Sequence, residues 1–427
     1  MQVGSRDSRR VWVISELYYP EETSTGYFLT QIAEGLARNH PVHVLCGQPT
    51  YSSRGTVAPW HELRRRVDIH RCWGTRWNKD RLTLRLVNLL TLSITIFLRA
   101  LWSFQRADRV LVVTNPPLLP FMIAAACRIR GAQCLLLIHD VYPDVAVATG
   151  LLRPHSLPTR GVEACFRRLY RTVQSIVVLG RDMENLVRRK LGAECPQISL
   201  IPNWGDIELV RPTHKSSNHL LSELGLENRF VIQFSGNMGR SHDVESILAA
   251  AAVLGPYVPI HFLVVGSGAK KQRFDQQLAA SSLTNVTALP HQPRHELRDL
   301  LNAGDVALIA FIPGMLGVSV PSRMYNVMAA GKPIIAMTEE NSELALVVRE
   351  ERIGWVVPPG DAKALAEAVI AAWKNPLALA AMGRRARSAA ERLYSLNQVL
   401  DAYERLIRGA PQSPSVSTST ITLKRTA

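Results

Sequence analysis

Phe230-Val-Ile-Gln-Phe-Ser-Gly-Asn-Met-Gly-Arg240 is the stretch on which the fold turns. A run of buried-strand type leads into Gly236 and Gly239, and a helical pattern follows with Ser241 or His242 as its expected N-cap. Glycine at such a turn lets the backbone approach a ligand closely, and the start of the helix favours an anion. A single turn of this kind serves packing as readily as binding.

The next strand repeats the device. Ile260-His-Phe-Leu-Val-Val-Gly-Ser-Gly-Ala-Lys-Lys271 predicts a strand, a turn at Gly266 and Gly268, and a helix start with Lys270 and Lys271 as point charges for phosphate oxygens; a solvated helix start is the alternative. A third element, Gly317-Val-Ser-Val-Pro-Ser-Arg-Met-Tyr-Asn-Val-Met-Ala-Ala-Gly331, predicts a small-residue loop and a helix that Gly331 ends. The N–H groups of Ser319, Val320 and Ser322, around Pro321, would form an anion nest at that helix start with Arg323 nearby. Pro290 and His291, just past the strand 285–289, join the same set. Three neighbouring strand ends built this way point to a diphosphate-containing ligand, because open α/β sheets bind ligands outside the carboxyl ends of their strands.

Outward from this region, strand-like runs at 230–235, 260–265, 285–289, 305–311 and 333–337 alternate with helical patterns, and an earlier series at 11–15, 42–46, 109–113, 133–138 and 175–179 does the same. Parallel sheets covered by helices follow. The Pro- and Gly-containing segment Ile201-Pro-Asn-Trp-Gly205 places a boundary near residue 205, giving domains at 1–205 and 206–394. Helical patterns continue to residue 407, and 411–427 turns Ser/Thr-rich without periodicity, the composition of a disordered tail.

With 427 residues, 47% of them apolar, the chain is long enough for two cores. Its six cysteines show no metal-ligand spacing and suit a reducing cytosol, and the polar first ten residues lack a secretory core. The net charge of +15 divides into +12 for residues 1–205 and +3 for the rest, with basic windows at 61–109 and 151–190. An anionic partner is implied. Neither window carries a nucleic-acid-binding signature, and the first strand leads into Tyr18-Tyr-Pro-Glu-Glu instead of a dinucleotide fingerprint.

The ordered series Tyr19-Pro-Glu21 with Gly26, Thr114-Asn-Pro-Pro117, Asp140-Val-Tyr-Pro-Asp144, Gly150-Leu-Leu152, Ile201-Pro-Asn-Trp204, Ser235-Gly-Asn-Met-Gly239, Gly266-Ser-Gly268, Pro321-Ser-Arg323 and Ala330-Gly-Lys-Pro333 resembles the retaining glycosyltransferases of family four, over roughly residues 11–407. Within that family it resembles the branch that includes the bacterial O-antigen L-fucosamine transferase and the colanic-acid transferases. The resemblance implies the GT-B fold, two Rossmann-like domains facing a cleft: the second holds a UDP- or GDP-sugar, the first holds the acceptor, and a last helix at 397–407 crosses back. It implies no metal and no organic cofactor.

Donor contacts then fall to Gly26, Gly236, Asn237, Gly239, Gly266, Gly268, Pro290, His291, Ser319, Val320, Pro321, Ser322, Arg323 and Asn326. His139 and Asp140, ending a buried strand at the cleft, and the cations Arg240 and Lys271 are the expected catalytic groups. Gly26 is read as opening a helix from Tyr27 to Arg38. Many relatives carry two glutamates eight residues apart where this chain has Val318 and Asn326, so no carboxylate acts there. Retention needs no covalent intermediate if the leaving diphosphate takes the acceptor proton on the same face, which leaves charge stabilisation and positioning to the protein. A nucleotide-binding partner without turnover is the other reading.

Leu82 to Phe104 is an apolar helical run interrupted by Arg85, Asn88 and Arg99. Arg64, Arg65, Arg66, Arg71, Arg76, Lys79 and Arg81 precede it, and Trp73, Trp77 and Trp102 lie near it. That combination suits a helix lying at an anionic membrane surface, ahead of a simple core helix or a spanning segment. A polyprenyl-diphosphate-linked acceptor at the inner face of the plasma membrane, met by an otherwise cytoplasmic enzyme, is the corresponding expectation.

Overall fold

The alternation of strands and helices builds two separate sheets. The computed structural model describes residues 9–50, 56–77, 82–255 and 259–409; Lys79, Arg81 and the segment 411–427 lie outside them. In the first domain the strands are β1 (Val11–Ile14), β2 (Val42–Cys46), β3 (His61–Arg64), β4 (Val67–Arg71), β5 (Arg109–Val113), β6 (Gln133–Leu137), β7 (Ser175–Val178) and β8 (Gln197–Leu200). Their order is β3-β4-β2-β1-β5-β6-β7-β8, parallel throughout except for β3. The second domain has β9 (Phe230–Asn237), β10 (Ile260–Ser267), β11 (Val286–Leu289), β12 (Val306–Ala310), β13 (Ile334–Met337) and β14 (Gly354–Val357), all parallel in the order β11-β10-β9-β12-β13-β14.

Central strands such as β1, β5 and β12 are buried on both faces, which is why they read as unbroken apolar runs. The chain reverses its winding between β1 and β5 in one sheet and between β9 and β12 in the other. Each reversal splays the loops at the carboxyl ends of the strands and opens a crevice there.

Four strands have no counterpart among the expected runs: β3, β4, β8 and β14. The first two form an edge hairpin, 61–71, whose charged residues hid it. Leu63 is exposed on β3, while β4 alternates buried Val67, Ile69 and Arg71 with Asp68 and His70. Arg65 and Arg66 make its turn at positive φ. Charge on an edge strand discourages pairing with another chain.

The same hairpin corrects the picture of a free basic patch. Arg71 is ion-paired with Glu62 and donates to the Tyr19 carbonyl, and Arg64 and Arg65 both reach Glu34. Arg66 and Arg76 remain at the surface.

Trp204 and Gly205 carry the chain between domains. Trp204 packs edge-on against Phe28 at 4.6 Å, and a Cβ at position 205 would lie 2.4 Å from the Tyr325 carbonyl oxygen, so only glycine fits. The chain returns after Tyr394, whose carbonyl accepts from Gly205 N–H. Helix Leu396–Arg408 then lies on the first domain, with Val399, Tyr403, Leu406 and Ile407 in its core and Glu404 bonded to His40.

Candidate active site

The two crevices face each other, and the loops from both sheets meet between them. On the first domain's side, helix Ser24–Leu36 starts three residues before the expected Tyr27. The Thr23 side chain caps it by accepting from Gly26 N–H, so Gly26 sits inside the first turn. Helix position brings Ser24 and Thr25 to the cleft instead. The Ser24 hydroxyl is 2.8 Å from that of Ser322 across the cleft, and the Thr25 hydroxyl is 3.3 Å from His139 Nδ1.

His139 and Asp140 follow β6 after Ile138. The Nε2 of His139 is shut off from solvent and has no hydrogen-bond partner. Burial pushes the imidazole down to about 4, so the ring is neutral at physiological pH. Asp140 is pushed up by burial, against a lowering contribution from its hydrogen bond with Ser319. The backbone there forms an antiparallel bridge between Asp140 and Ser319, and Val141 N–H donates to the Val318 carbonyl at 2.9 Å. Ser319, expected as part of an open anion nest, is therefore tied to the first domain. Val320 goes further and packs its side chain into the first domain's core.

On the second domain's side, Gly236 and Gly266 stand opposite each other on β9 and β10. A Cβ on Gly266 would lie 1.9 Å from the Gly236 carbonyl oxygen, a contact no side chain survives. Gly236 itself has φ +132, and a Cβ there would sit 3.2 Å from the guanidinium carbon of Arg323. The glycines thus close the two strand ends together and leave a recess that Arg323 fills. Gly239 and Gly268 pack around the Asn237 side chain in the same way.

Arg323 is the centre of this side. Its guanidinium lies 4.7 Å over the Phe234 ring and donates from Nη2 to the Asn237 carbonyl at 3.1 Å and to His242 Nε2 at 2.8 Å. Nη1 is buried without a partner, and among the described residues no carboxylate pairs with the side chain. Burial lowers its pKa to about 10, still well above neutral pH. His242 is held well below its ordinary value by burial and by Arg323 and Lys270, so it is the neutral acceptor this geometry needs. It was expected as a helix cap. The helix starts only at Glu245, with Asp243 accepting from Ser246 N–H, and His242 positions Arg323. Only its burial and contacts, invisible in one sequence, reveal that role.

The other expected residues divide. Arg240 is exposed on the turn after Gly239. Lys271, expected as a free point charge, is ion-paired with Asp275 one turn along its own helix, and Lys270 is held by Glu245 and the His242 carbonyl. Pro290 and His291 lie exposed past the edge strand β11, two strands from the crevice. Asn326 has its side-chain oxygen committed to Asp206 N–H at the interdomain crossing, at 2.9 Å. Val318, at the other glutamate position, packs with Phe311 and Met315. Pro321 is buried just ahead of Ser322, which begins the helix Arg323–Ala329.

Two contacts found outside the sequence motifs hold this arrangement. Arg181 bonds Glu343 and Glu350 across the domains, and Asp182 accepts from Gly317 N–H at 3.0 Å, which fixes the loop carrying Ser319 to Ser322.

Residues 220–389 match the family described as Glycosyl transferases group 1, and residues 25–204 match the Glycosyl transferase 4-like domain. The two matches fall on the two sheets, in the order the GT-B fold requires. The chain belongs to the group 1 glycosyltransferases.

This glycosyltransferase is 29% identical over 400 residues to the probable glycosyltransferase WbjE of Pseudomonas aeruginosa, covering 93% of this chain and 98% of that one. It is 25% identical to the putative colanic acid biosynthesis glycosyl transferase WcaI of Escherichia coli K12, covering 92% and 98%. Among solved structures it is similar to Anabaena HepE in complex with UDP and glucose, with a TM-score of 0.69 at 14% identity over 94% of this chain and all of that one. The last likeness is one of fold, and it is the GT-B fold.

Proposed function

We propose that this glycosyltransferase moves a sugar from a UDP- or GDP-sugar, with retention, to a lipid-linked precursor of a bacterial surface polysaccharide. One observation carries the donor side: the recessed guanidinium of Arg323, with an unpartnered Nη1 and no carboxylate partner among the described residues, set between the carboxyl ends of β9 and β12. A charge left in that state is costly unless an anion arrives, and a diphosphate is an anion of the right kind. HepE, of the same fold, is described with UDP and glucose.

In this reading Arg323 stabilises charge as it grows on the leaving diphosphate, with exposed Arg240 as the second cation. The buried, unpartnered Nε2 of His139 is the group left for the sugar or acceptor to satisfy, and Asp140 orients the loop of Ser319. The diphosphate takes the acceptor's proton on the face it leaves, so the chain needs neither a nucleophile nor a metal for transfer. The name of WcaI supports a surface-polysaccharide acceptor.

The membrane side rests on helix Leu82–Ser103. Asn88, Leu92, Ser93, Ile96 and Ala100 bury one face, while Leu86, Leu90, Ile94, Leu98 and Trp102 stand exposed at four-residue intervals on the other, Trp102 at 87%. Trp60, Trp73 and Trp77 are exposed nearby. A helix half-packed on protein with an apolar stripe and tryptophans suits lying in the membrane interface, at the cytoplasmic face. The helix is long and apolar enough to cross a membrane by length and composition, yet its packed face already has the first domain for a partner.

The deciding experiment incubates the purified chain with UDP-, GDP- and dTDP-sugars and a polyprenyl-diphosphate-linked acceptor. Donor-dependent release of nucleoside diphosphate, with sugar on the lipid, is expected. Nucleotide binding without turnover on any donor would favour an inactive partner subunit instead, as Val318 and Asn326 invite.

A further inference from the structure

A cluster of three histidines around one aspartate lies outside the transfer site. His43 on β2, Asp68 and His70 on β4 and His61 on β3 share one face of the first sheet: strand pairing sets His43 beside Asp68 and His61 beside His70. Asp68 Oδ2 is 3.1 Å from His43 Nδ1 and 3.1 Å from His70 Nε2, and Asp68 Oδ1 is 2.6 Å from His61 Nε2. One donor atom from each of His43, Asp68 and His70 lies within 4.8 Å of the others.

We infer that His43, Asp68 and His70 form a binding site for a divalent transition metal of the zinc class, with His61 as the fourth ligand. Tetrahedral zinc bonded to imidazole nitrogen and carboxylate oxygen at about 2.0 to 2.2 Å places neighbouring ligand atoms roughly 3.3 Å apart. Two of the spacings already stand close to that value, so a cation would replace the hydrogen bonds with little backbone movement. His61 is the most exposed of the four and needs only to swing its ring from Oδ1 towards the shared centre.

The ligands also have the support a metal site needs. The His43 ring stacks on Trp12 at 4.7 Å, and Trp12 is held by its Nε1–H bond to Asp108. The His70 ring stacks on His61 at 4.7 Å. All four come from hydrogen-bonded strands, which hold geometry better than loops. Oxygen and imidazole donors without a thiolate fit zinc, nickel or copper better than calcium or magnesium.

The location suggests a structural task. His43 and Asp68 lie near the starts of their strands, away from the carboxyl ends that face the cleft. A metal there would staple the edge hairpin β3–β4 to β2, beneath the helix Leu82–Ser103.

The test uses the untagged full chain, stripped with a chelator and titrated with Zn²⁺ by calorimetry, with Co²⁺ as the spectroscopic probe. One equivalent is expected, with the visible absorption of tetrahedral Co²⁺. Affinity should fall about 10- to 100-fold or more in His43→Ala and His70→Ala. X-ray absorption on the zinc-loaded natural chain should show imidazole scattering and no sulfur, a readout that needs no variant to fold. Failure of the natural chain to retain one equivalent, a sulfur shell from any of the six cysteines, or unchanged affinity in both folded variants overturns the site. Donor turnover of the metal-free chain should persist, because no ligand belongs to the cleft.

Discussion

At the scale of single residues, Arg323 and Lys271 separate two kinds of cation that look alike in a sequence. Arg323 is recessed with a free nitrogen, whereas Lys271 already has Asp275 as a partner on the same helix. Removing Arg323 should cost about 2 to 4 kcal/mol of transition-state stabilisation, the range for a lost charge-stabilising donor. Lys271→Ala should cost less, since its charge is already partly spent on Asp275. The check is kcat/KM for donor in both variants. Equal losses would show that Asp275 releases the lysine when the diphosphate binds, and a larger loss at Lys271 would remove Arg323 from the centre of the site.

His139 makes a second test at this scale. Its folded-state pKa is about 4 because the ring is buried, against 6.5 in the open chain. The stability this contributes is fully present above about pH 6.5 and is lost as pH falls towards 4, because the unfolded chain takes the proton first. The difference is on the order of 3 kcal/mol at most. His242 is shifted in the same direction. Denaturant midpoints should therefore decline between pH 6.5 and 4, and His139→Asn should flatten that decline. Of this site, the glycines, the serine-rich loop and Arg323 are legible in the residues themselves. The Asp275 that engages Lys271 stands at the i,i+4 spacing a helix pairs, so it too could be read from the sequence, whereas His242 on Arg323 and Asp206 on Asn326 touch through folded geometry that no spacing announces.

At the scale of elements, the helix Leu82–Ser103 shows how a sequence can be read correctly in composition and ambiguously in consequence. Its apolar residues point both ways, so the amphipathic pattern is nearly erased; only the packing shows that Ile96 and Ala100 are core while Leu90 and Leu98 are surface. Leu90→Glu together with Leu98→Glu should leave thermal stability within about 0.5 kcal/mol per site, as surface changes do. The pair should sharply reduce co-sedimentation with vesicles containing anionic lipid. Ile96→Glu should unfold the first domain, because an unpaired charge would be buried. Vesicle binding that survives the exposed pair would place the attachment elsewhere. The edge hairpin β3–β4 was illegible for the opposite reason, since its alternation is masked by His61, Arg64, Asp68 and Arg71, each with a partner that only the fold brings near.

At the scale of the whole molecule, the order of strands and helices along the chain was enough to locate two sheets, the first ending at Leu200 and the second beginning at Phe230, because parallel strands buried on both faces leave long apolar runs. Among the contacts that join the halves are Trp204 and Gly205 on the outward crossing, Val320 seated in the first core, Arg181 on Glu343 and Glu350, and helix Leu396–Arg408 on the return. The return helix is the informative one, because it stands last in sequence yet completes the core of the first domain. Tyr403 is almost wholly buried there, and a large aromatic lost from a core costs about 3 to 5 kcal/mol. Tyr403→Ala should accordingly lower the unfolding transition of the first domain while leaving that of the second, whose cores contain no residue of this helix. Calorimetry should resolve the two transitions, and, if the donor sits on the second domain as proposed, saturating donor nucleotide should raise only the second by mass action. A variant in which both transitions fall together would mean that the halves unfold as one unit, coupled by the Arg181 clamp and Val320 more strongly than by the crossing helix.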